Sequence, residues 1–253
     1  MCEKVVIGVD CRSLLLVGTT ITDEGLKYMK DMKSLEHLEM GNTRVTDDGI
    51  PNIASLPNLL VVTVGGTKVS ENGLRRLKEM PAGLQGLGFS MSNVPNGIAF
   101  LSGCPLNWLG IDLDPGHRQM SDAFAESLTR FPTLRDITFV NLDMTATQAR
   151  YIGKIHGLTR LTFFASSGWS GEAFSEVAQL LKLEALFIIK TDSILKEADL
   201  QHLAALTRLK TLELQSESIQ PAIILKLQAA LPDCKISVSP ELQRAIDELR
   251  KGE

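Results

Sequence analysis

The chain has 253 residues, of which 44% are hydrophobic and 22% are charged, and this composition excludes a disordered or fibrous chain. The net charge of −4 argues against a general attraction to nucleic-acid phosphates or to anionic membrane surfaces. Because no apolar run approaches the ~20 residues of a membrane-spanning helix, and the cysteines have neither zinc-site nor disulfide-framework spacing, we expect a cytoplasmic protein without membrane insertion, metal or cofactor.

The N-terminal segment, residues 1–10, contains the short apolar run Val5–Val9. This run is too short for the apolar core of a signal peptide. Arrays of repeats need a terminal element that shields the first unit. We therefore predict that residues 1–10 form an N-terminal capping strand.

A repeated pattern begins at residue 11. Residues 35–40 and 59–64 both read apolar-x-x-apolar-x-apolar, and each segment is followed by a threonine and then a valine. The segment 46–50, Thr-Asp-Asp-Gly-Ile, matches Thr-Asp-Glu-Gly-Leu at 22–26 and Ser-Glu-Asn-Gly-Leu at 70–74. Three consecutive matches at one spacing indicate a repeat architecture.

The first apolar position of the pattern recurs along the rest of the chain, mostly in steps of about 24 to 26 residues, within the ~20–29 range of one class of solenoid repeat. The step from Leu84 to Leu106 is short, and the next step is long. The recurring positions are Cys11, Leu35, Leu59, Leu84, Leu106, Leu134, Leu158, Leu183, Leu209 and Cys234.

Within each unit, the spacing of the apolar residues changes from alternating to helical. The alternating segment predicts a short strand with one buried face, and the helical spacing that follows, as in Leu74, Leu77 and Met80, predicts a helix. Thr145 with Gln148 is typical of a capping box at a helix start. Since one such unit cannot bury its apolar side alone, stacked units with a parallel sheet and an outer layer of helices are predicted.

The C-terminal segment, residues 234–253, predicts a terminal strand followed by a helix. Ser239 followed by Pro240 is a good helix start, and apolar residues recur at helical spacing behind it. We predict an end cap, with a docking helix for a partner as the alternative. Residues 1–253 then form a single domain, with about nine repeats over 11–233 between the two end elements.

Segment 41–50, Gly-Asn-Thr-Arg-Val-Thr-Asp-Asp-Gly-Ile, resembles the leucine-rich repeats of the cysteine-containing class, which occur in F-box-associated and bacterial repeat proteins. The ending Leu-Pro-Asp-Cys-Lys-Ile at 231–236 is similar to the terminal repeat of such arrays. The resemblance implies an α/β leucine-rich-repeat solenoid, with a curved parallel sheet on the concave side and helices on the convex side. It also suggests protein binding without naming the partner.

The sequence departs from this family in two respects. No F-box-like helical segment precedes the repeats, which weakens an assignment to ubiquitin ligases. The slot that usually holds asparagine or cysteine contains threonine in the first units and non-matching residues later, where we expect the internal polar ladder to fail. These slot residues are Thr19, Thr43, Thr67, Asp114, Leu142 and Glu217.

The strand residues between the buried ones are expected to point into the concavity. In the middle strands, several of these inward-pointing positions are glycines, which leave room for a ligand close to the backbone. These glycines are Gly65, Gly86, Gly88 and Gly110. Apolar and aromatic residues lie beside them in a chain with only 5% aromatic residues, a pattern typical of an interface. The predicted partner-binding residues are Trp108, Asp112, Asp136, Val140, Arg160, Phe164, Phe187 and Ile189.

Two structural alternatives apply to these aromatic residues. They can stack on each other across adjacent strands and only stabilise the sheet. A register slip of one residue in the degenerate repeats would instead send Phe164 and Phe187 into the core.

The strongest candidate for catalysis or metal binding is the segment 110–117, which contains Asp112, Asp114 and His117. It lacks the further oxygen ligands of a calcium loop, and Asp-Pro-Gly at 114–116 favours a turn. We therefore predict a non-enzymatic module that binds a protein or peptide on its concave face. The alternatives are a self-associating structural or assembly subunit, which would be a homo-oligomer, and a substrate-receptor-like adaptor of a larger complex.

Overall fold

The structure is a computed structural model that describes residues 11–114, 116–216 and 218–251. Within these ranges ten strands form one sheet in chain order, and every neighbouring pair is parallel. The predicted capping strand of residues 1–10 lies outside the described residues. The strands are β1 (Ser13–Leu15), β2 (His37–Glu39), β3 (Val61–Thr63), β4 (Gly86–Ser90), β5 (Trp108–Asp112), β6 (Asp136–Val140), β7 (Arg160–Phe164), β8 (Ala185–Ile189), β9 (Thr211–Leu214) and β10 (Lys235–Val238).

Each strand except β4 is followed by an α-helix, and β4 is followed only by 3₁₀ turns at Met91–Asn93 and Ala99–Leu101. Further 3₁₀ turns, at Lys27–Met29, Leu77–Glu79 and Gln201–Ala205, extend three of the helices. The α-helices of the described chain are α1 (Asp23–Leu26), α2 (Ile50–Ala54), α3 (Glu71–Arg76), α4 (Asp122–Leu128), α5 (Ala146–Gly153), α6 (Gly171–Val177), α7 (Glu197–Leu200), α8 (Pro221–Ala230) and α9 (Pro240–Lys251).

Two helix starts follow the local sequence closely. The Thr145 side chain accepts a hydrogen bond from the Gln148 backbone, and the Gln148 side chain accepts one from the Thr145 backbone, so the predicted capping box is confirmed. At the C-terminal end, α9 begins at Pro240 and buries Leu242 and Ile246.

The core lies between the sheet and the helices. Strand residues such as Leu38, Leu109 and Leu161 are fully buried, and they form one continuous apolar cluster with helix residues such as Phe124 and Ile152. Since side chains alternate along a strand, the residues between them lie on the other side of the sheet, which we call the open face. One parallel sheet with a single helical layer is a leucine-rich-repeat solenoid, and the predicted fold is confirmed.

A carboxylate ladder explains the Thr-Asp-x-Gly pattern of the first repeats. Asp47 accepts hydrogen bonds from the backbone N and the Oγ of Ser70 in the next repeat, both at 2.6 Å, and Asp23 contacts Thr46 in the same way. A Cβ at Gly73 would collide with the Asp47 carboxylate. The motif therefore encodes a contact between repeats as well as a helix start.

The threonine slot is satisfied locally. Thr19, Thr43 and Thr67 each donate their hydroxyl to the backbone carbonyl three residues earlier, at 2.6–2.8 Å. Leu142 fills the same slot with a fully buried apolar side chain, and its backbone N–H donates to Ser166 Oγ at 3.2 Å. At this slot the hydrogen-bonding hydroxyl therefore belongs to Ser166 of the following repeat.

Candidate functional site

The strand register brings the eight predicted partner-binding residues onto one stretch of the open face, across β5 to β8. A first row of register partners consists of Trp108, Asp136 and Arg160. A second row, nearer the strand ends, consists of Asp112, Val140, Phe164 and Ile189. Phe187 lies between the two rows, opposite Thr162.

Four of these residues form an apolar strip, which we define as Val140, Phe164, Phe187 and Ile189. All four are half-buried, because neighbouring side chains on the sheet cover part of each one while the rest faces solvent. The core residues beside them on the same strands, such as Phe163 and Ile188, are fully buried. The strip is therefore an accessible apolar surface that crosses three otherwise well-packed repeats.

The two structural alternatives for these aromatic residues are not what the structure shows. The register of β7 and β8 keeps Phe164 and Phe187 on the open face, so no slip sends them into the core. The close ring pairs found in the described chain, such as Phe139 with Phe163, lie on the core side. No such ring pair in that part of the chain stacks Phe164 or Phe187 on another aromatic residue.

Each phenyl ring of the strip instead has a cation above it. The Arg160 guanidinium lies 5.5 Å from the centre of the Phe187 ring, and Lys190 Nζ lies 5.0 Å from the centre of the Phe164 ring. Such cation–π contacts contribute about 0.5–1 kcal/mol at exposed sites. The two cations bracket the strip and give it a positively charged rim.

Lys190 is a site residue that the alternation of the strand did not reveal. It follows β8 and has a left-handed backbone, with φ of 54°, so it leaves the in-out pattern that ends at Ile189. The same register position is left-handed in several repeats, where the chain turns away from the sheet. These residues are Gly18, Asn42, Gly66, Asn141, Ala165 and Lys190.

Trp108 occupies the bare middle of the open face, where the sequence predicted room for a ligand. A Cβ at Gly86 would lie 3.1 Å from Trp108 Cε3, one at Gly88 3.3 Å from Cη2, and one at Gly110 2.9 Å from Cζ2. The benzo ring therefore fills the space of three missing side chains on β4 and β5. We call these three glycines the glycine trough; they make room for the protein's own indole.

The trough has walls on the β3 side as well. A Cβ at Gly86 would also contact Val61, and one at Gly88 would lie 2.9 Å from Thr63 Cγ2. Every residue of β4 is buried as a result. Trp108 itself stays half-buried, so part of its ring is accessible from the open face.

Asp136 and Arg160 form a loose ion pair beside this ring. Arg160 Nε lies 3.5 Å from Asp136 Oδ2, and the two side chains are 53% and 29% exposed. The other carboxylate oxygen, Oδ1, is buried without a hydrogen-bond partner. Burial raises the pKa of Asp136, and the nearby Arg160 opposes that rise.

The substitution Asp136→Asn tests whether burial of this carboxylate lowers the stability of the folded protein. Because folding raises the pKa of Asp136, the native state binds a proton there more readily than the unfolded chain, and stability falls as pH rises through that window. Near neutral pH we expect the variant to have the same Tm as the wild type or a slightly higher one. The difference should disappear below the ordinary carboxyl pKa of ~3.9.

Thermal unfolding followed by circular dichroism across this pH range measures the effect. An Asp31→Asn variant, which removes an exposed carboxylate elsewhere, is the control. A lower Tm for Asp136→Asn near neutral pH would contradict the prediction, because it would show that the pair with Arg160 outweighs the burial of the charge.

Asp112 lies at the end of β5, where Asn141 Nδ2 donates to its Oδ1 at 3.4 Å. Although Asp112 is exposed, partial loss of hydration raises its pKa, the Asp114 charge raises it further, and the Asn141 hydrogen bond lowers it. Asp112 and Asp136 are thus carboxylates on the strand of Trp108 and on its neighbour β6, and of these two only Asp136 has an ion-pair partner among the described residues, Arg160.

Residues 113–114 and 116–120 contain no helix or strand and lie beside the second row. The His117 backbone N–H donates to the Asp114 carbonyl at 2.8 Å, and the His117 side chain is exposed. Arg118 fixes the loop by pairing with Asp143 at 2.9 Å and donating to the Ala165 carbonyl at 2.8 Å. Among the described residues, no three His, Cys, Asp or Glu side chains are placed to hold a metal ion.

Comparisons with known proteins find repeat proteins at low similarity. Internalin C2 of Listeria monocytogenes is 14% identical with a TM-score of 0.46, over 90% of this chain and 80% of its own. A leucine-rich-repeat protein of Leptospira interrogans is 17% identical with a TM-score of 0.49, over 88% of this chain and 59% of its own. A second Listeria internalin is 16% identical with a TM-score of 0.42, over 94% of this chain and 85% of its own.

No family model matches the sequence, and no curated protein matches it. The fold assignment therefore rests on the strand order and the repeats of this chain itself. In the described ranges, no helix has both the length and the apolar character needed to cross a bilayer.

Proposed function

We propose that this protein is a non-enzymatic binding module that holds a protein or peptide segment against the open face across β5 to β8. The observation that carries the proposal is the apolar strip of Val140, Phe164, Phe187 and Ile189. Aromatic and aliphatic side chains of this size normally lie in a core, and a cluster of them on a solvent-facing sheet is typical of an interaction surface.

The surroundings of the strip have the composition of an interface. Arg160 and Lys190 lie over its rings, and arginine and aromatic residues are enriched among those that dominate binding energy. The residues of the strip come from rigid strands whose backbones are fixed by pairing on both sides. A rigid surface loses little conformational entropy when a partner binds.

The double variant Phe164→Ala, Phe187→Ala tests the proposal. Truncation of a hot-spot residue costs about 2 kcal/mol or more, which is about 30-fold in affinity for each ring. We expect proteins captured from a lysate of the source organism by the wild type to be lost from the double variant. Affinity of the identified partner is then measured by calorimetry with both proteins, after circular dichroism has shown that the variant is folded.

The matched control is Leu181→Ala, Ile194→Ala, which removes two apolar side chains that are 62% and 69% exposed and lie outside the strands. Equal capture by the wild type and the Phe164, Phe187 variant would overturn the proposal, as would a loss confined to the control. Light scattering of the same proteins separates self-association from binding of another protein. A dimer that the double variant abolishes would show that the occupant is a second copy of this chain.

A further inference from the structure

The second feature of the open face is the environment of Trp108, which differs in chemistry from the apolar strip. Its benzo ring lies in the glycine trough, with Cε3, Cη2 and Cζ2 each near a different glycine. A ring supported by three glycines on two strands has one side against the sheet and the other side toward the open face. The indole is half-buried, and the π face of an indole attracts cations more strongly than that of a phenol or benzene ring.

Two carboxylates accompany the ring. Asp136 is the register partner of Trp108 on β6, and its Oδ1 is buried without a hydrogen-bond partner. Asp112 lies further along β5, at the end of the strand toward which the ring extends over Gly110. Arg160 Nε lies 3.5 Å from Asp136 Oδ2, and its guanidinium lies over Phe187, whereas no ion pair in the described ranges involves Asp112.

We propose that Trp108, Asp112 and Asp136 receive a cationic side chain, a lysine or an arginine, of the partner segment. This inference rests on the proposed function and specifies which residue type the partner presents beside the apolar strip. The cation would lie over the indole, and the two carboxylates would be its counter-ions. Its N–H groups would donate to the exposed carboxylate of Asp112, and the Asp136 carboxylate would add negative charge beside the ring.

The other classes of side chain fit this position less well. An acidic side chain would meet two carboxylates and the negative face of the ring. An apolar side chain would remove water from the exposed Asp112 carboxylate without giving it a hydrogen bond, and an unsatisfied buried acceptor is costly. Burial is the main cause of the raised pKa of both Asp112 and Asp136, and a cation placed beside them would lower it.

Intrinsic fluorescence provides a direct measurement, since Trp108 and Trp169 are the two tryptophans of the chain. Trp169 is 5% exposed and its Nε1 has no hydrogen-bond partner, so Trp169→Phe removes its signal without breaking a hydrogen bond. In this background, titration with a hexalysine peptide reports on Trp108. We expect a saturable change in emission with hexalysine and none with hexaglutamate.

The charge test compares two double variants at one ionic strength. Asp112→Asn, Asp136→Asn removes the carboxylates near Trp108, and Asp31→Asn, Asp233→Asn makes the same change in net charge at two exposed positions elsewhere. We expect the first variant to bind hexalysine at least tenfold more weakly and the second to bind as the parent does. Equal weakening in both would show attraction to overall charge alone and would overturn the inference.

Absence of any hexalysine response in the parent would overturn it as well. This failure is distinguishable from failure of the proposed function, because the Phe164→Ala, Phe187→Ala variant leaves Trp108 and the glycine trough in place. Partner capture that depends on the two phenylalanines, without a hexalysine response, would preserve the proposed function and remove only the cation site. A hexalysine response without phenylalanine-dependent capture would contradict the proposed function instead.

Discussion

We expect Phe163→Ala to lower the free energy of unfolding by about 3–5 kcal/mol, the range for truncation of a fully buried phenylalanine. Phe163 is 0% exposed. Its ring stacks on Phe139, with 5.3 Å between centres, and meets the edge of Trp169 at 4.8 Å. Trp169 in turn packs on Phe174 at 4.6 Å. The alanine variant would leave a cavity between two repeats and remove two aromatic contacts, which contribute beyond their buried area.

The loss is large because the core is one layer thick. In a solenoid each repeat contacts only its neighbours, so no distant part of the core can compensate for a cavity at Phe163. Urea unfolding followed by circular dichroism measures the effect. Tyr28→Ala, at a position that is 84% exposed, is the control and should change stability by less than about 0.5 kcal/mol. A change at Phe163 of similar size to that control would contradict the prediction.

Phe163 also links stability to the open face. It lies on β7 between Thr162 and Phe164, and its side chain points away from both. The core rings therefore fix the strand that carries Arg160 and Phe164. For this reason the binding experiments use the phenylalanines of the apolar strip, whose truncation leaves the core rings in place.

The alternation of each strand could be read from the sequence because its period is two. Once Leu35, Leu59 and their equivalents are placed in the core, the side of every following strand residue is determined. Leu38, Val62 and Leu161 are indeed fully buried. The placement of the eight candidate residues on one face follows from the same alternation and the parallel register.

The lengths of the outer helices could not be predicted from the sequence as closely as the sides of the strands. Helical spacing at Leu26, Met29 and Met32 indicates a helix, whereas the structure has one α-helical turn in α1 followed by a 3₁₀ turn at Lys27–Met29. A repeat of this length has few residues left after the strand and the two turns. The apolar spacing is the same for a short mixed helix and a longer regular one, so the sequence did not distinguish them.

The detailed surface of the site could not be predicted because it depends on contacts between repeats. Gly86 and Gly88 are 22 and 20 residues before Trp108 in the sequence, and only the strand register shows that the indole fills the space above them. Lys190 was missed because its left-handed backbone ends the alternation. A row of glycines beside a tryptophan in adjacent repeats was the available signal for a ring lying on the sheet.

Gly168→Ala is expected to destabilise the protein by about 2–4 kcal/mol, although Gly168 is exposed. Its φ is +79°, and a non-glycine residue in that conformation costs about 1 kcal/mol or more. A Cβ there would also collide with the carbonyl oxygen of Met144 and lie 2.9 Å from the Met144 backbone C and N atoms. The shifts needed to accommodate such a clash cost about a further 1–3 kcal/mol.

The neighbouring segment cannot move aside easily, because it is held at two points. Met144 N donates to the Ser167 carbonyl at 3.0 Å, and Ser167 N donates to the Leu142 carbonyl at 2.9 Å. Gly103→Ala is the matched control, since Gly103 is also exposed with φ of +100° but a Cβ there would meet nothing within 4 Å. The difference between the two variants in urea unfolding isolates the contact from the backbone strain. Equal losses would show that the segment at Met144 adapts and that close approach between these repeats is not a constraint.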